Sequence, residues 1–299
     1  MGTPRWKRCN VWPFERKADV IRVGRERAEY WAVSANGLDM RFDHPIDCSQ
    51  GADAASLAVG LKGLMGTATR GAQAASNRVR EIDVVLESAW LPITMVDVVS
   101  TLWSPEPTRT LLAHHFAQLY GERGDPASAW DLQLDWQPGD RRAVGYGLAP
   151  AIKRAALDAV ASAGMRVTSL QPAFAWGWKT HEQSRRGAGN RAANARGWWI
   201  WLEQDRSIMC LIEHGRISAM NAGVEAIRDE AQCLRRLTIE SRRLGRLEDD
   251  LRCFVAQWPA MASLPYRGDN NRIAWLSVAA AATGVHGAVH APSPAGLPV

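Results

Sequence analysis

The sequence lacks the cysteine and histidine patterns of a metal centre or a disulfide framework. Its five cysteines include no CxxC pair and form no metal-ligand cluster with the seven histidines. An odd, scattered set of cysteines favours buried, reduced thiols. No run of about 18 apolar residues occurs, and the basic stretch at 1–17 lacks the apolar core of a signal peptide. We therefore expect a cytoplasmic protein that reaches a membrane only through a partner.

The common catalytic signatures are also missing. There is no P-loop, no GxGxxG dinucleotide motif and no GxSxG nucleophile motif. His114 and His115 are adjacent, and neighbouring positions on a helix diverge by about 100°, so the two rings cannot share one small ligand site. The sequence therefore offers no residue pattern typical of a catalytic centre.

Positive charge and tryptophan are what the chain has in excess. The net charge is +5, which fits an acidic protein partner, a nucleic acid or an anionic membrane without choosing among them. The 14 tryptophans stand among predicted strands and helices rather than within a basic tract. Packing is therefore favoured over base stacking, and we expect no nucleic-acid partner.

One pattern of short strands occurs twice in the chain. Residues 21–40 predict three strands joined by a tight turn and by the Asn36-Gly37 hairpin turn. Residues 202–220 predict the same three strands, with His214-Gly215 as the second turn. A duplicated three-strand entry, each followed by helices, is the layout of an actin-like (ribonuclease H-like) fold. We therefore predict an α/β protein with two mixed β-sheet domains and flanking helices.

The remaining segments complete a two-domain prediction. A β-β-α-β-α unit is expected at about 128–184, and helices are expected over 224–243 and 272–284. We expect a flexible N-terminal arm at 1–17, a first actin-like domain at 18–184 that contains the inserted unit, a basic linker at 185–196, a shortened second domain at 197–285 and a disordered tail at 286–299.

Three stretches carry a resemblance to a known family. They are YGLAPAIKRAALDAVASAGMRVTSLQPAFAWGWKTHEQ at 146–183, GWWIWLEQDRSIMCLIEHGRISAM at 197–220 and NRIAWLSVAAAATG at 271–284. In the order of their elements they resemble the cytoplasmic actin-like proteins of bacterial type IV pilus and type II secretion systems, the PilM and GspL group. The resemblance extends over about residues 18–285.

This resemblance implies a scaffold rather than an enzyme. Members of the group sit on the cytoplasmic face of the inner membrane and bind a short cytoplasmic segment of a single-pass membrane protein. They help connect the assembly platform to its motor ATPase. PilM-type members bind ATP, whereas GspL-type members generally bind it poorly.

The nucleotide site of such proteins is expected to be degenerate in this chain. Nucleotide-binding members have two Asp-x-Gly phosphate loops, in which the carboxylate positions magnesium and the glycine admits the phosphate. The matching positions here are Arg22 and Gly24 in the first loop, and Glu203 and Asp205 in the second. The first loop has a base in place of the acid, and the second lacks the glycine. We therefore expect no catalytic residues, no metal and no cofactor.

Two enzyme alternatives remain open at this point. Because arginine can hold a phosphate without a metal, weak nucleotide binding is not excluded, and an active actin-like ATPase or sugar-kinase-type enzyme is the alternative function. A ribonuclease H-like nuclease would need carboxylates on adjacent strands. The available acids are Asp83, Glu87, Asp97 and Glu203; for Asp83 we favour a structural role, paired with a nearby arginine.

A partner segment is expected to bind in a groove near the 146–183 unit. The residues that we predict to contact it are Tyr146, Phe174, Trp176, Trp178, Arg235 and Arg236. The arginine-rich helix that carries Arg235 and Arg236 is expected to expose these side chains to solvent. The alternative is that they bind an acidic partner or a motor surface.

Overall fold

The computed structural model describes ten segments of the chain: 18–34, 37–49, 51–72, 80–98, 106–120, 130–135, 141–179, 196–245, 252–257 and 273–277. The predicted N-terminal arm, the predicted tail, almost all of the predicted linker and Asn36 lie outside these residues.

Up to Pro172, the described residues contain the five strands of the first sheet, three strands of another sheet and helices α1 to α3. The elements are β1 (Asp19–Val23), β2 (Arg27–Ser34), β3 (Gly37–Pro45), α1 (Ala54–Ala72), β4 (Glu81–Leu86), β5 (Ile93–Asp97), α2 (Glu106–Tyr120), β6 (Asp131–Asp135), β7 (Arg142–Leu148), α3 (Pro150–Ser162) and β8 (Arg166–Pro172). The order in the sheet is β3-β2-β1-β4-β8. Strand β1 is antiparallel to β2 and parallel to β4.

The second sheet repeats the order of the first. A short helix α4 at 173–179 precedes it. Its elements are β9 (Gly197–Leu202), β10 (Arg206–Glu213), β11 (Arg216–Glu225), α5 (Glu230–Arg243), β12 (Arg252–Gln257) and β13 (Ile273–Ser277). The sheet order is β11-β10-β9-β12-β13, with β9 antiparallel to β10 and parallel to β12. The duplicated three-strand entry predicted from the sequence is thus confirmed, and the second hairpin turns at His214 and Gly215, which both have positive φ.

A third, three-stranded sheet is inserted between β4 and α3. Its order is β5-β7-β6, and both pairs are antiparallel. The sequence analysis placed an inserted unit at about 128–184, but β8 pairs with β4 in the first sheet. We therefore propose that the insertion spans β5 to β7 instead, at about residues 93–148.

Parts of two predicted helices are strands in the structure. The helix expected from residue 224 begins at Glu230 instead, where Asp229 caps it by accepting the N–H of Gln232 at 2.7 Å. Val224 lies in β11 and pairs with Ser207. The segment 273–277, predicted as helix, is β13 and runs parallel to β12. A short apolar run does not distinguish a buried parallel strand from a helix by its periodicity.

The main hydrophobic core joins the first sheet to the second. Leu57, Leu61 and Leu64 of α1 are fully buried. Where this core reaches the second sheet, Phe174 of α4 packs edge-on against Trp199 of β9, with ring centroids 4.9 Å apart. Among the described helices, none has the length and apolar character that a membrane crossing requires.

Gly177 of α4 provides a test of how closely α4 packs against β9 of the second sheet. A Cβ at residue 177 would come within 3.0 Å of the indole ring of Trp201, so we expect Gly177→Ala to lower the free energy of unfolding by about 1–3 kcal/mol. The matched control is Gly66→Ala in α1, where a Cβ meets nothing within 4 Å. This control should stabilise the helix by roughly 0.5–1 kcal/mol. Urea denaturation measures both, and equal effects would contradict the close packing.

Candidate functional site

The two halves of the molecule meet where β1, β4 and β9 end. Gly24 follows β1, Glu87 follows β4 and Glu203 follows β9. In open α/β sheets this carboxyl end of parallel strands is the usual place for a ligand. We call the segments 22–26, 87–88 and 203–206 the junction.

Arg22 is the fully buried cation of the junction. Its Nη1 donates to both carboxylate oxygens of Glu29, at 3.3 and 3.2 Å, and its Nη2 donates to Glu87. The β1–β2 register places Arg22 directly opposite Glu29. Burial by itself lowers the pKa of Arg22, but the charges of Glu87 and Glu29 raise it above the ordinary value. The guanidinium is therefore charged and bridges the two carboxylates.

Glu203 brings a third buried carboxyl group to the junction from the second sheet. The backbone N–H of Ser88 donates to both of its oxygens, each at 3.1 Å, and the Ser88 hydroxyl is hydrogen-bonded to it as well. Burial, together with the charge of Glu87, raises the pKa of Glu203 to about 8. Burial also raises the pKa of Glu87, although Arg22 opposes this. Burial and the neighbouring charge therefore both favour the protonated form of Glu203.

Gln204 fills the space beside the first loop. The side-chain Oε1 of Gln204 accepts the backbone N–H of Glu26 at 2.8 Å, and the backbone N–H of Gln204 donates to Glu87 Oε2 at 3.2 Å. The carboxamide atoms lie within 3.0 Å of the point where a Cβ on Gly24 would stand. In a glycine-containing phosphate loop, the bare Cα and nearby backbone N–H groups face the phosphate. Here a side chain of the same molecule occupies that place.

Asp205 closes the junction at its solvent-facing rim. Its carboxylate accepts hydrogen bonds from Arg25 at 3.1 Å and from Arg206 at 2.9 Å. Although burial raises the pKa of Asp205, the two guanidinium groups lower it, and the net pKa lies below the ordinary value. The second loop therefore contacts the first loop through the consecutive side chains of Gln204 and Asp205.

The strand register changes the predicted correspondence between the two loops. The N–H of Gly24 donates to the carbonyl of Arg27, and the N–H of Glu203 donates in the same way to Arg206. Glu203 therefore stands at the position of Gly24, and Trp201 stands at the position of Arg22. The sequence analysis had matched Glu203 with Arg22 and Asp205 with Gly24. In the register of the strands, the second loop has neither the acid nor the glycine of an Asp-x-Gly loop.

Three carboxylates of the junction approach one another closely. The ligand atoms of Glu87, Glu203 and Asp205 lie within 4.8 Å of one another, a spacing that a cation would require. Each carboxylate already has protein partners, because Glu87 contacts Arg22, Glu203 contacts Ser88 and Asp205 contacts two arginines. We therefore do not assign these residues as metal ligands.

The acids considered for a nuclease are not gathered in one place. Asp83 accepts hydrogen bonds from the hydroxyls of Thr168 and Ser169 at 2.6 and 2.7 Å, so hydroxyls replace the arginine partner that we expected. Asp97 pairs with Arg142 at the edge of the third sheet, at 3.1 Å. Of the four candidate acids, only Glu87 and Glu203 reach the junction.

The residues predicted to contact a partner fall into two separate groups. Tyr146 of β7 and the α4 residues Phe174, Trp176 and Trp178 have no more than 8% of their surface exposed. Phe174 and Trp178 both pack against Trp199. Side chains this buried stabilise the core and offer little surface to a partner, so the structure gives these four a packing role in place of the predicted contact.

The other two predicted contact residues lie on α5. Arg235 is exposed on this helix, and Arg236 pairs with Glu225 of β11 at 2.7 Å. They are not part of the junction, and nothing in the described residues joins them to the buried aromatic group.

The junction and the adjoining strand β2 contain residues that no sequence pattern singled out as a site. Gln204 in the junction and Glu29 in β2 are the main ones, with Ser88 as the partner of Glu203. The predicted β1–β2 hairpin could have indicated Glu29, since an acid opposite an arginine forms a cross-strand pair. The position of Gln204 depends on how the two halves meet, which no local pattern encodes.

The comparisons with known proteins identify the fold. No family model and no curated protein sequence matches the chain. Its structure is similar to the PilM–PilN type IV pilus biogenesis complex, with a TM-score of 0.53, 12% identity and coverage of 81% of each chain. It is also similar to a protein of unknown function with an actin-like ATPase fold from Bacteroides thetaiotaomicron, with a TM-score of 0.50, 10% identity and coverage of 80% of each chain.

A third similar structure is the cytoplasmic domain of EpsL, an inner-membrane component of the type II secretion system of Vibrio cholerae. Its TM-score is 0.48 at 14% identity, and the match covers 89% of this chain and 92% of that one. The predicted actin-like fold is thus confirmed by the first two matches.

The weight of Arg22 in the fold can be measured by replacing it. Arg22→Met leaves the carboxylates of Glu29 and Glu87 buried without their cation, and we expect a loss of about 3–5 kcal/mol in the free energy of unfolding. The control is Arg166→Met, since Arg166 pairs with Glu81 on the surface and should cost at most about 1 kcal/mol. Urea denaturation at neutral pH distinguishes the two, and similar losses would show that the buried network is not a main source of stability.

Proposed function

We propose that this chain is a non-catalytic scaffold of a type IV pilus or type II secretion inner-membrane platform. In this role it binds a cytoplasmic segment of a single-pass membrane protein, lies at the cytoplasmic face of the inner membrane through that partner and contacts a motor ATPase. Its work is done by surfaces rather than by a reaction, and it needs no nucleotide cofactor.

The observation that carries this proposal is the contact between Gln204 and the first loop. The carboxamide packs on Gly24 and accepts the N–H of Glu26, which is the place where an actin-like nucleotide would put a phosphate. Arg22 is occupied by Glu29 and Glu87 and lies fully buried behind this contact. A bound nucleotide would have to displace a hydrogen-bonded side chain and would meet three acidic groups.

The similarity to PilM supports the choice of system. That structure is a type IV pilus biogenesis complex of PilM with PilN, so a protein of this fold does assemble with another pilus protein. For the contact surface we retain α5, where Arg235 is exposed and Arg236 is partly exposed. Two neighbouring guanidinium groups suit an acidic segment or an acidic motor surface.

The absence of nucleotide binding is tested by thermal unfolding with magnesium and ATP. A ligand that binds only the folded state raises the melting temperature, by an amount that grows with the logarithm of its concentration once this exceeds the Kd. We expect no measurable shift at millimolar ATP, whereas an actin-like ATPase measured alongside should shift by several degrees. A comparable shift for this chain would favour the alternative, an active actin-like ATPase or sugar-kinase-type enzyme.

Partner binding is tested by a pull-down with the cytoplasmic segment of the single-pass membrane protein encoded beside this chain. We expect the native segment, but not a scrambled one, to retain the chain. The double reversal Arg235→Glu with Arg236→Glu should weaken retention, while Arg41→Glu on the edge strand β3 should not. Failure of the native segment to bind would count against the scaffold function. If the double variant and Arg41→Glu are retained equally, only the proposal that the partner binds α5 is excluded.

A further inference from the structure

The junction contains two buried carboxyl groups that follow strands of different sheets. Glu87 comes from the end of β4 and Glu203 from the end of β9, and each has 1% of its surface exposed. Their oxygens lie within 4.8 Å of one another. The N–H of Gln204 donates to Glu87, and the N–H of Ser88 donates to Glu203, so each carboxyl group also binds the opposite loop.

The charges at this contact do not balance if every acid is ionised. Among the described residues, the almost fully buried arginine and glutamic acid side chains are Arg22, Glu29, Glu87 and Glu203, one cation against three acids. Arg22 donates to Glu29 and Glu87. Arg25 and Arg206 both bind Asp205 at the rim, and the charge of Arg206 also favours the ionised form of Glu203. Burial and the like charge of Glu87 outweigh it, because two adjacent buried carboxylates cannot both be ionised without a large cost.

We propose that Glu203 holds a proton while the two halves are in contact, and that loss of this proton opens the junction. Opening separates four cross-junction contacts at once: Ser88 from Glu203, Gln204 from both Glu26 and Glu87, and Arg25 from Asp205. The chain then has a closed form, in which its own side chains fill the actin-like cleft, and an open form that is favoured by alkaline pH.

The direction of the pH dependence follows from the proton count. Burial raises the pKa of Glu203 to about 8 in the closed form, whereas in water a glutamic acid has its ordinary pKa of 4.5. Between these values opening releases one proton, so the ratio of open to closed molecules rises about tenfold for each pH unit. Above about pH 8, Glu203 is ionised in both the open and the closed form, so the ratio of open to closed molecules becomes constant. The closed form is therefore most favoured in mild acid.

Hydrogen–deuterium exchange of the amides that cross the junction measures this equilibrium. The N–H groups of Glu26, Ser88 and Gln204 all donate across it. After correction for the intrinsic exchange rate, we expect their protection to fall as the pH is raised from about 6 to about 8 and then to become constant. Protection in the middle of β10, for example at Met209, should stay the same.

The decisive variant is Glu203→Gln, which keeps the shape of the side chain and removes the titration. It should keep the junction amides protected over the whole pH range. The matched control Glu225→Gln alters an exposed carboxylate of the same half and should behave as the wild type. A parallel loss of protection in the wild type and in Glu203→Gln would overturn the proposal.

A second variant keeps the carboxyl group and shifts its titration. The Ser88 hydroxyl lowers the pKa of Glu203 by hydrogen bonding to its charged form, so Ser88→Ala should move the levelling-off of protection to higher pH. A purely structural role for Ser88 would lower protection by the same factor at every pH. That result, with no shift of the profile, would also overturn the proposal.

Discussion

The buried pairing of Arg22 with Glu29 and Glu87 is the interaction on which the rest of the junction depends. A guanidinium group is a suitable cation for such a place because its planar donors satisfy two carboxylates at once and it does not lose its proton. Glu29 comes from the neighbouring strand of the same hairpin, and Glu87 comes from the end of β4. The network therefore ties β1 to both of its neighbours at the point where the second half of the molecule arrives.

The duplicated sheets determine where that second half arrives. Because both sheets have the same strand order, β1 and β9 end in equivalent turns, closed by the same backbone hydrogen bond at Gly24 and at Glu203. One turn has a glycine with no side chain, and the other has an acid followed by Gln204. The side chains of the second turn consequently extend into the space that the first leaves open. The duplication is symmetric in its strands and asymmetric in its turns, and the asymmetry closes the cleft.

The sequence predicted the strands better than the contacts between them. Apolar patterns and turn residues located the two three-strand entries, β1 to β3 and β9 to β11, because burial on a sheet face leaves a local pattern. The segment 273–277 was misassigned, since its apolar residues fit a helix as well as a parallel strand. Arg22 and Gly24 were recognised as altered loop positions, but the match of Glu203 with Arg22 was shifted by two residues. Only the paired register of β9 and β10 reveals that shift.

The carboxamide of Gln204 has a consequence for what the molecule can sense. A cleft filled by a dissolved nucleotide has an occupancy that depends on the concentration of that nucleotide, and so on the energy state of the cell. A ligand attached to the same chain has a fixed local concentration that no metabolite changes. On our proposal that no nucleotide displaces Gln204, the arrangement of the two halves is independent of the supply of ATP and responds to what acts on the junction itself, such as protons or the mechanical pull of an attached assembly.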